Sequence, residues 1–558
     1  MFKADNPSVY IPSKSIAIKP DVVSDAVQND QVRINIPSFV GFIDPNQTYL
    51  KYNMVLENVR GMVVPDRNCG GHAVIRNIQY RDGNNQSNIE MNEDYNANYS
   101  MMSNYNAQDN IQHKRELFEG FMKHEGDAVA NANLYYGARQ IAGGADNANP
   151  DTSQRPINKP TIQLQLNSGI FKQGKILPVS AMNGLKITID TEDMKRAFQY
   201  LNLLGDSTTI HGTKITLTTA GKTAGDDQRG IGAGVRQFSV RTDRAIADHP
   251  FDIGDQLYVS DDAAALTNEE SLGFINGFFS VGGLLGITYT PNRNTAAGLA
   301  HDHAIGSLVY IKYAERMVAH TCFSPNDGAN VATRVIPEPS YKLNDIEMLV
   351  QSVQPPEGYA NGLLKASQSA GGIQFDIMTY ELYRHNQSNT NGLLQAQIPT
   401  LAKRAKAVFI HPLRSDVARD IVVSSLTGIP DNAVNYEFIH GSKHFPSRLA
   451  PLNRYSQAVA DGSNKNEALH TSELQKAIVN VGEKVHNLQK IAKHFVIARS
   501  LSKYGGTMDL SGDTLSVRVD YNAGAHTKLF NNYVYCLRRV MVKNGMTSAS
   551  NQVEASGN

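Results

Sequence analysis

At 558 residues, 41% of them hydrophobic and 19% charged, the chain is too long for one core and too apolar to be disordered, so two to four domains are expected. Lys plus Arg and Asp plus Glu stand at 53 each, and a net charge of zero argues against a dedicated nucleic-acid binder while letting copies of the chain pack closely. No stretch approaches the ~20 apolar residues of a membrane span, and residues 1–7 lack the apolar run of a signal peptide. Cys69, Cys322 and Cys536 lie far apart and odd in number, which points away from a disulfide framework and toward a reducing compartment. The sequons at Asn46, Asn85, Asn98 and Asn386 then carry no expectation of glycans.

Residues 1–30 read as an arm, because Pro7, Pro12 and Pro20 interrupt any regular element. From 31 to 205 strand signals dominate. Residues 34–53 open a strand-rich block, 72–81 alternate apolar with polar and stop at the turn signal Asp82-Gly83, and 161–166 and 185–189 alternate cleanly. Residues 109–123 read as a helix with Leu117, Phe118, Phe121 and Met122 on one face.

Residues 206–325 have a different texture, with short strands after a glycine-crowded linker. They read as a small β domain inserted into the first sandwich, which a strand within 341–353 would close. Residues 326–356 then hold that closing strand and the joint, with Pro355-Pro356 at the natural boundary. A second strand-rich block fills 357–546, opening at 373–383. A helix is expected over 472–493, where Leu474, Ile478, Val481, Val485, Leu488 and Ala492 recur at three- and four-residue steps behind a capping box of Ser472 and Gln475. The tail, 547–558, is small and polar and reads as mobile.

Residues 37–52, Pro-Ser-Phe-Val-Gly-Phe-Ile-Asp-Pro-Asn-Gln-Thr-Tyr-Leu-Lys-Tyr, resemble the opening of the first jelly roll in double jelly-roll major capsid proteins, most of all those of polinton-like viruses and virophages. Residues 167–178 with 184–189 are similar to the late strands of that roll, and 532–545 to the closing strand of the second. The resemblance covers most of 31–205 and 330–546; the 206–325 insertion departs from the compact members. It implies an all-β fold of two tandem eight-stranded jelly rolls, with short helices in loops and the inserted β domain on an outer loop or turret. It also implies homotrimers forming pseudo-hexagonal capsomers that tile an icosahedral shell around double-stranded DNA.

The partners implied are the chain itself, neighbouring capsomers, and minor capsid and penton proteins, with the inner face turned to DNA or a membrane. The location implied is the virion, assembled in the host cell's reducing interior. Rival readings are a carbohydrate-binding β-sandwich, which the absence of Trp disfavours, and a minor capsid or spike protein, which the two-block pattern disfavours.

Residues that suggest chemistry have blander readings. His301-Asp302-His303 offers two imidazoles and a carboxylate but no third partner at a metal-binding spacing, so a solvated loop is favoured. The glycines of 230–234 follow no buried strand and open no helix, so they read as a linker rather than a phosphate loop. Arg538, Arg539 and Lys543 read as intersubunit or loop pairs, the 474–492 stripe as core packing, and Tyr95, Tyr99 and Tyr105 as part of a polar loop over a strand end. No protease, hydrolase or nucleotide-binding motif is present. No enzyme, catalytic residue, cofactor, metal or small-molecule substrate is expected.

Overall fold

The structure is a computed structural model and describes residues 12–21, 25–57, 62–66, 68–106, 118–120, 141–142, 161–200, 210–218, 239–245, 251, 256–261, 267–291, 301, 303, 306–312, 321–323, 333–335, 340–369, 371–387, 392–416, 424–452, 468–486, 494–501, 506–521 and 526–551. In chain order the principal strands of the first half are Ser13–Ile18, Gln31–Ile36, Tyr49–Glu57, Ile75–Asp82, Asn88–Asn92, Thr161–Leu164, Leu185–Thr191 and Ser340–Val353. Counted one to eight, they pair in the order one-eight-three-six in one sheet and two-seven-four-five in the other, always antiparallel.

The second half repeats this order. Its strands are Ile373–Gln387, Gly392–Ile398, Ala405–Arg414, Ala433–His440, Lys443–Pro451, Ile497–Ser500, Leu515–Tyr521 and Lys528–Lys543. They too run one-eight-three-six and two-seven-four-five. Strands shared between two facing sheets in this interlaced way make a jelly roll. The chain is two jelly rolls of one topology.

Alternation explains why these segments are strands. Leu185–Thr191 and Leu515–Tyr521 bury every second side chain and leave the others half-buried, so each offers one face to the space between sheets. Val32, Ile34, Ile36, Leu50, Tyr52 and Met54 help fill the first core; Val408, Ile410, Phe438, Val517, Val519 and Phe530 help fill the second.

Antiparallel neighbours in roughly aligned sheets fix where connections go. Those from strand one to two, three to four, five to six and seven to eight open at one end, the loop end; the rest lie at the turn end. Residues 192–339 join strands seven and eight in the first roll, but only 522–527 do so in the second. Within the longer connection, Ile210–Thr218, Ser239–Ala245, Gln256–Ser260, Glu270–Val281, Leu284–Pro291 and Leu308–Lys312 form a closed antiparallel barrel with its own core of Val240, Leu257, Val259, Ile287 and Val309 among others. The glycine-rich residues 219–238 and the loop 324–328 lie outside the described residues.

Several expectations need correcting. Ser13–Ile18, assigned to a free arm, is strand one of the first roll, paired with Ser340–Val353 from Ser13↔Val353 to Ile18↔Met348. Its backbone is claimed by a strand from the far end of the roll, a pairing the local sequence does not encode. Met546–Ser550, which spans the start of the expected tail, folds back on Lys528–Lys543.

The expected helix over 472–493 is Ala468–Asn480. Ser472 lies inside it, and Gly482, at φ +88°, accepts the left-handed conformation that ends it. Glu357–Gln368 is a helix immediately after Pro356. The region of 109–123 lies outside the described residues except at 118–120.

Candidate functional site

The two rolls stand side by side with matching ends together. At the loop end, the connections between strands three and four meet, as Asn68 Nδ2 donates to Thr427 Oγ1 at 2.6 Å and Ser424 Oγ to Asp66 Oδ2 at 2.5 Å. At the turn end, Asn84 and Asn183 of the first roll donate to the Gly545 carbonyl at 3.2 and 3.1 Å. Between these points runs a buried seam of polar and apolar contacts.

Tyr95–Asn106 builds its centre. This helix leaves strand five of the first roll and lies against strands one and eight of the second. Met101, Met102 and Tyr105 join Tyr380, Phe409, Tyr533 and Tyr535 in one apolar cluster. Leu474, Ala477, Ile478 and Val481 of the Ala468–Asn480 helix complete that cluster, so the first part of the predicted stripe is core; Leu488 and Ala492 lie outside the described residues. Lower down, Ile377, Val540 and Val542 of the second roll merge with the core of the first.

The same helix carries polar residues, and burial forces each to find a partner. Tyr535 donates its hydroxyl to Asn98 Oδ1 at 2.9 Å, Ser100 Oγ donates to the Leu426 carbonyl at 2.8 Å, and Tyr105 donates to the His494 carbonyl at 2.5 Å. Tyr380 reaches the Glu93 carbonyl at 3.0 Å. Tyr95 accepts from the Asn167 amide at 2.8 Å, and Tyr99 stacks on the His72 ring with centroids 3.7 Å apart. The three tyrosines read as a polar loop are therefore helical and buried, fixed by hydroxyl and ring contacts. Burial pushes the Tyr95, Tyr380, Tyr533 and Tyr535 phenols well up, so they act as neutral hydrogen-bonding groups.

Charge enters the seam only in compensated form. Asp94, buried, forms an ion pair with Arg196 at 2.6 Å and accepts a hydrogen bond from Asn531 of the second roll at 2.5 Å, with Arg384 at 3.6 Å. Burial opposes the Arg196 charge, yet Asp94 and Glu192 outweigh it and hold the guanidinium protonated. Glu90 accepts from the Gly169 and Ile170 amides at 2.7 and 2.9 Å; burial still raises its carboxyl. Gly169 itself lies so close to the second roll that a Cβ would sit 2.1 Å from the Met378 carbonyl oxygen.

The residues singled out in the sequence do not converge on one site. Arg538 donates to the Asn88 carbonyl across the seam at 2.8 Å, and Arg539 pairs with Asp376 on the adjacent strand at 3.1 Å. His301 pairs with Glu270 at 2.6 Å and His303 with Asp261 at 2.8 Å, two separate contacts on the barrel, while Asp302 lies outside the described residues. Among the described residues no group of three or more His, Cys, Asp or Glu is arranged to hold a metal. Cys69 and Cys536 are buried free thiols, both pushed up by burial, and of Cys322 the structure describes only its place in the Thr321–Phe323 strand. The seam can hold two rolls in one orientation through the hydrogen bonds that cross it.

No protein-family model matches the chain, and no curated protein matches it. Among solved structures, the PBCV-1 virus capsid is similar at 8% identity over 99% of both chains, with a TM-score of 0.48. The Sputnik virophage structure is similar at 10% identity over 100% of this chain and 91% of that one, with a TM-score of 0.41. The mavirus major capsid protein is similar at 11% identity over 99% and 93%, with a TM-score of 0.35. The jelly-roll assignment stands on strand order and register, independently of these likenesses.

Proposed function

We propose that this chain is a structural protein of a virion: the major capsid protein of an icosahedral double-stranded DNA virus of the virophage or polinton-like kind, without catalytic residues. The observation that carries the reading is the repetition of one strand order in two rolls that a buried seam holds side by side with matching ends together. A unit of two similar wedges becomes a near-hexagonal tile when three copies close a ring, because the contacts are head-to-tail and repeat at a fixed rotation. Jelly rolls leave open sheet edges, and neighbours in a shell cover them.

Neighbouring capsomers, penton and minor capsid proteins are its partners in this reading, and the loop end with its barrel faces outward. A carbohydrate-binding sandwich would need exposed aromatic platforms on its sheets; here Tyr380, Tyr533 and Tyr535 are buried beneath two helices.

Negative-stain imaging and light scattering of the purified chain test the reading. A threefold, pseudo-hexagonal particle at micromolar concentration is expected. A species near the monomer mass of 61.1 kDa overturns it.

A further inference from the structure

The loop end of the seam is gripped by one connection of the second roll. In residues 424–429, Ser424 and Thr427 hydrogen-bond Asp66 and Asn68 of the first roll, and the Leu426 carbonyl accepts from Ser100 of the Tyr95–Asn106 helix. The Leu426 side chain is buried in the core of the first roll, so the connection acts as a plug. Behind the plug lie two histidine rings, His411 on strand three and His494, with centroids 4.8 Å apart. A Cβ on Gly428 would meet the His411 ring at 2.8 Å and the Phe495 carbonyl oxygen at 2.1 Å, so the plug rests directly on both. The Phe495 amide donates to the Gly428 carbonyl at 2.9 Å, and the His494 carbonyl accepts from Tyr105 of the same first-roll helix.

We propose that the loop end of the seam is an acid-operated latch: when His411 takes up a proton, residues 424–429 lift away from the first roll while the turn end stays joined. The latch belongs to the single chain and does not depend on the shell reading above.

His411 is buried, and neither ring nitrogen has a hydrogen-bond partner in the protein. A second proton would place a charge there with no acceptor, which burial makes costly. The charged groups around it give no relief. Arg196 of the first roll acts on the ring as another cation, and its own counter-ions, Asp94 and Glu192, are committed to it at 2.6 and 2.8 Å. Asp94 also serves Asn531 and Arg384 of the second roll. Tyr533, on strand eight, is a neutral phenol that accepts from Asn531, and Asp66 accepts from Ser424 of the plug. His494 is a further base, and so is His470, whose ring packs on Phe495 and bonds the Val496 carbonyl. Strand three is locked between strands six and eight, so a charged His411 reaches water only if the plug moves. Burial holds the closed-state histidine down at about 3, whereas an opened one titrates near 6.5; the open form binds more protons, and acid favours it. At the turn end, the hydrogen bonds from Asn84, Ser87 and Asn183 to the carbonyls of Gly545 and Thr547 involve no titratable side chain.

Hydrogen exchange of the full, unmodified chain at pH 7 and pH 5, corrected for the intrinsic pH dependence of exchange, reads this opening directly. One histidine released from burial raises the open population by up to about tenfold per pH unit below 6.5, so peptides over 95–106 and 424–429 should exchange about tenfold faster at pH 5. Peptides over 182–187 and 540–547, at the turn end, should keep their rates. His411→Gln, which cannot gain the proton, should remove most of the difference and leave the pH 7 pattern in place. Equal acceleration at both ends, or none at the loop end, overturns the latch. So does a folded His411→Gln chain that keeps the full difference. If that variant fails to fold, the contrast between the two ends of the unmodified chain decides alone.

Discussion

Tyr535, on the last long strand of the second roll, donates its hydroxyl to Asn98 Oδ1 in the first-roll helix at 2.9 Å, and both side chains are buried. The bond spans the seam, so its loss reports on the union of the rolls. Tyr535→Phe leaves Asn98 Oδ1 without that donor, and a buried unsatisfied group costs about 1–3 kcal/mol. Chemical unfolding should show that loss; an unchanged midpoint would mean the seam contributes little to stability.

Gly169→Ala should be more damaging than its size suggests. The new methyl would meet the Met378 carbonyl oxygen at 2.1 Å, a backbone atom that cannot swing aside, so the rolls must shift apart. A cost of about 1–3 kcal/mol is expected. Gly358→Ala is the control, since nothing lies within 4 Å of its Cβ and it sits in a helix, where Ala is favoured by about 1 kcal/mol. Equal effects of the two substitutions in thermal melts would contradict the close approach at Gly169.

Acid should weaken the fold below neutrality. Burial pushes His411 down to about 3, with Arg196 adding to the shift, and His470 down to about 4, against the pull of a hydrogen bond to the Val496 carbonyl. Unfolded histidine titrates near 6.5, so below that pH the unfolded chain binds more protons and stability falls as pH drops toward the folded values. Each group costs about 1.4 kcal/mol per pH unit in that window. Glu90 acts oppositely: its folded value is raised, so acidification relieves a buried charge. Urea midpoints should therefore fall from pH 7 to pH 5, more steeply in Glu90→Gln and less steeply in His411→Gln. A flat profile would sink the assignment.

The barrel should be dispensable for the two-roll frame. Its core residues form a cluster separate from those of either roll, as independent domains do. Replacing 206–325 with a short linker should leave circular dichroism, cooperative unfolding and oligomeric state in place. Insoluble product would mean that the barrel supports the rolls.

Trypsin should cut slowly at Lys14, whose backbone pairs with Ser352 within the sheet. Removing residues 1–18 should destabilise the chain, because Ile16 and Ile18 pack on the first core. Rapid cleavage at Lys14 in the folded protein, found by mass spectrometry, would return this segment to the status of an arm.

What the sequence displays and what it hides divides along physical lines. Half-buried strands such as Leu185–Thr191 announce themselves, because one face meets the core and the other does not. Ser13–Ile18 is hidden, since its identity as a strand depends on a partner at the other end of the roll. The Tyr95–Asn106 helix is harder still to find. Asn, Ser and Tyr are indifferent helix formers, and a helix buried on nearly every side carries no apolar stripe. The seam is hidden for the same reason, as its tyrosines and asparagines resemble loop composition until burial gives each a partner. Gly482 is a signal that could have set the helix end, because the periodic pattern runs past a residue suited to stopping it.

The unequal links between strands seven and eight carry one more implication. Residues 192–339 and 522–527 occupy the same station in two frames of identical topology, at the same end of the molecule. The chain thus possesses a pair of equivalent sockets, one fitted with a barrel and the other bare. A foreign domain whose termini lie close together, spliced between Tyr521 and Lys528, would meet the same geometry that already accommodates the barrel, and the chain would then carry two heads in place of one.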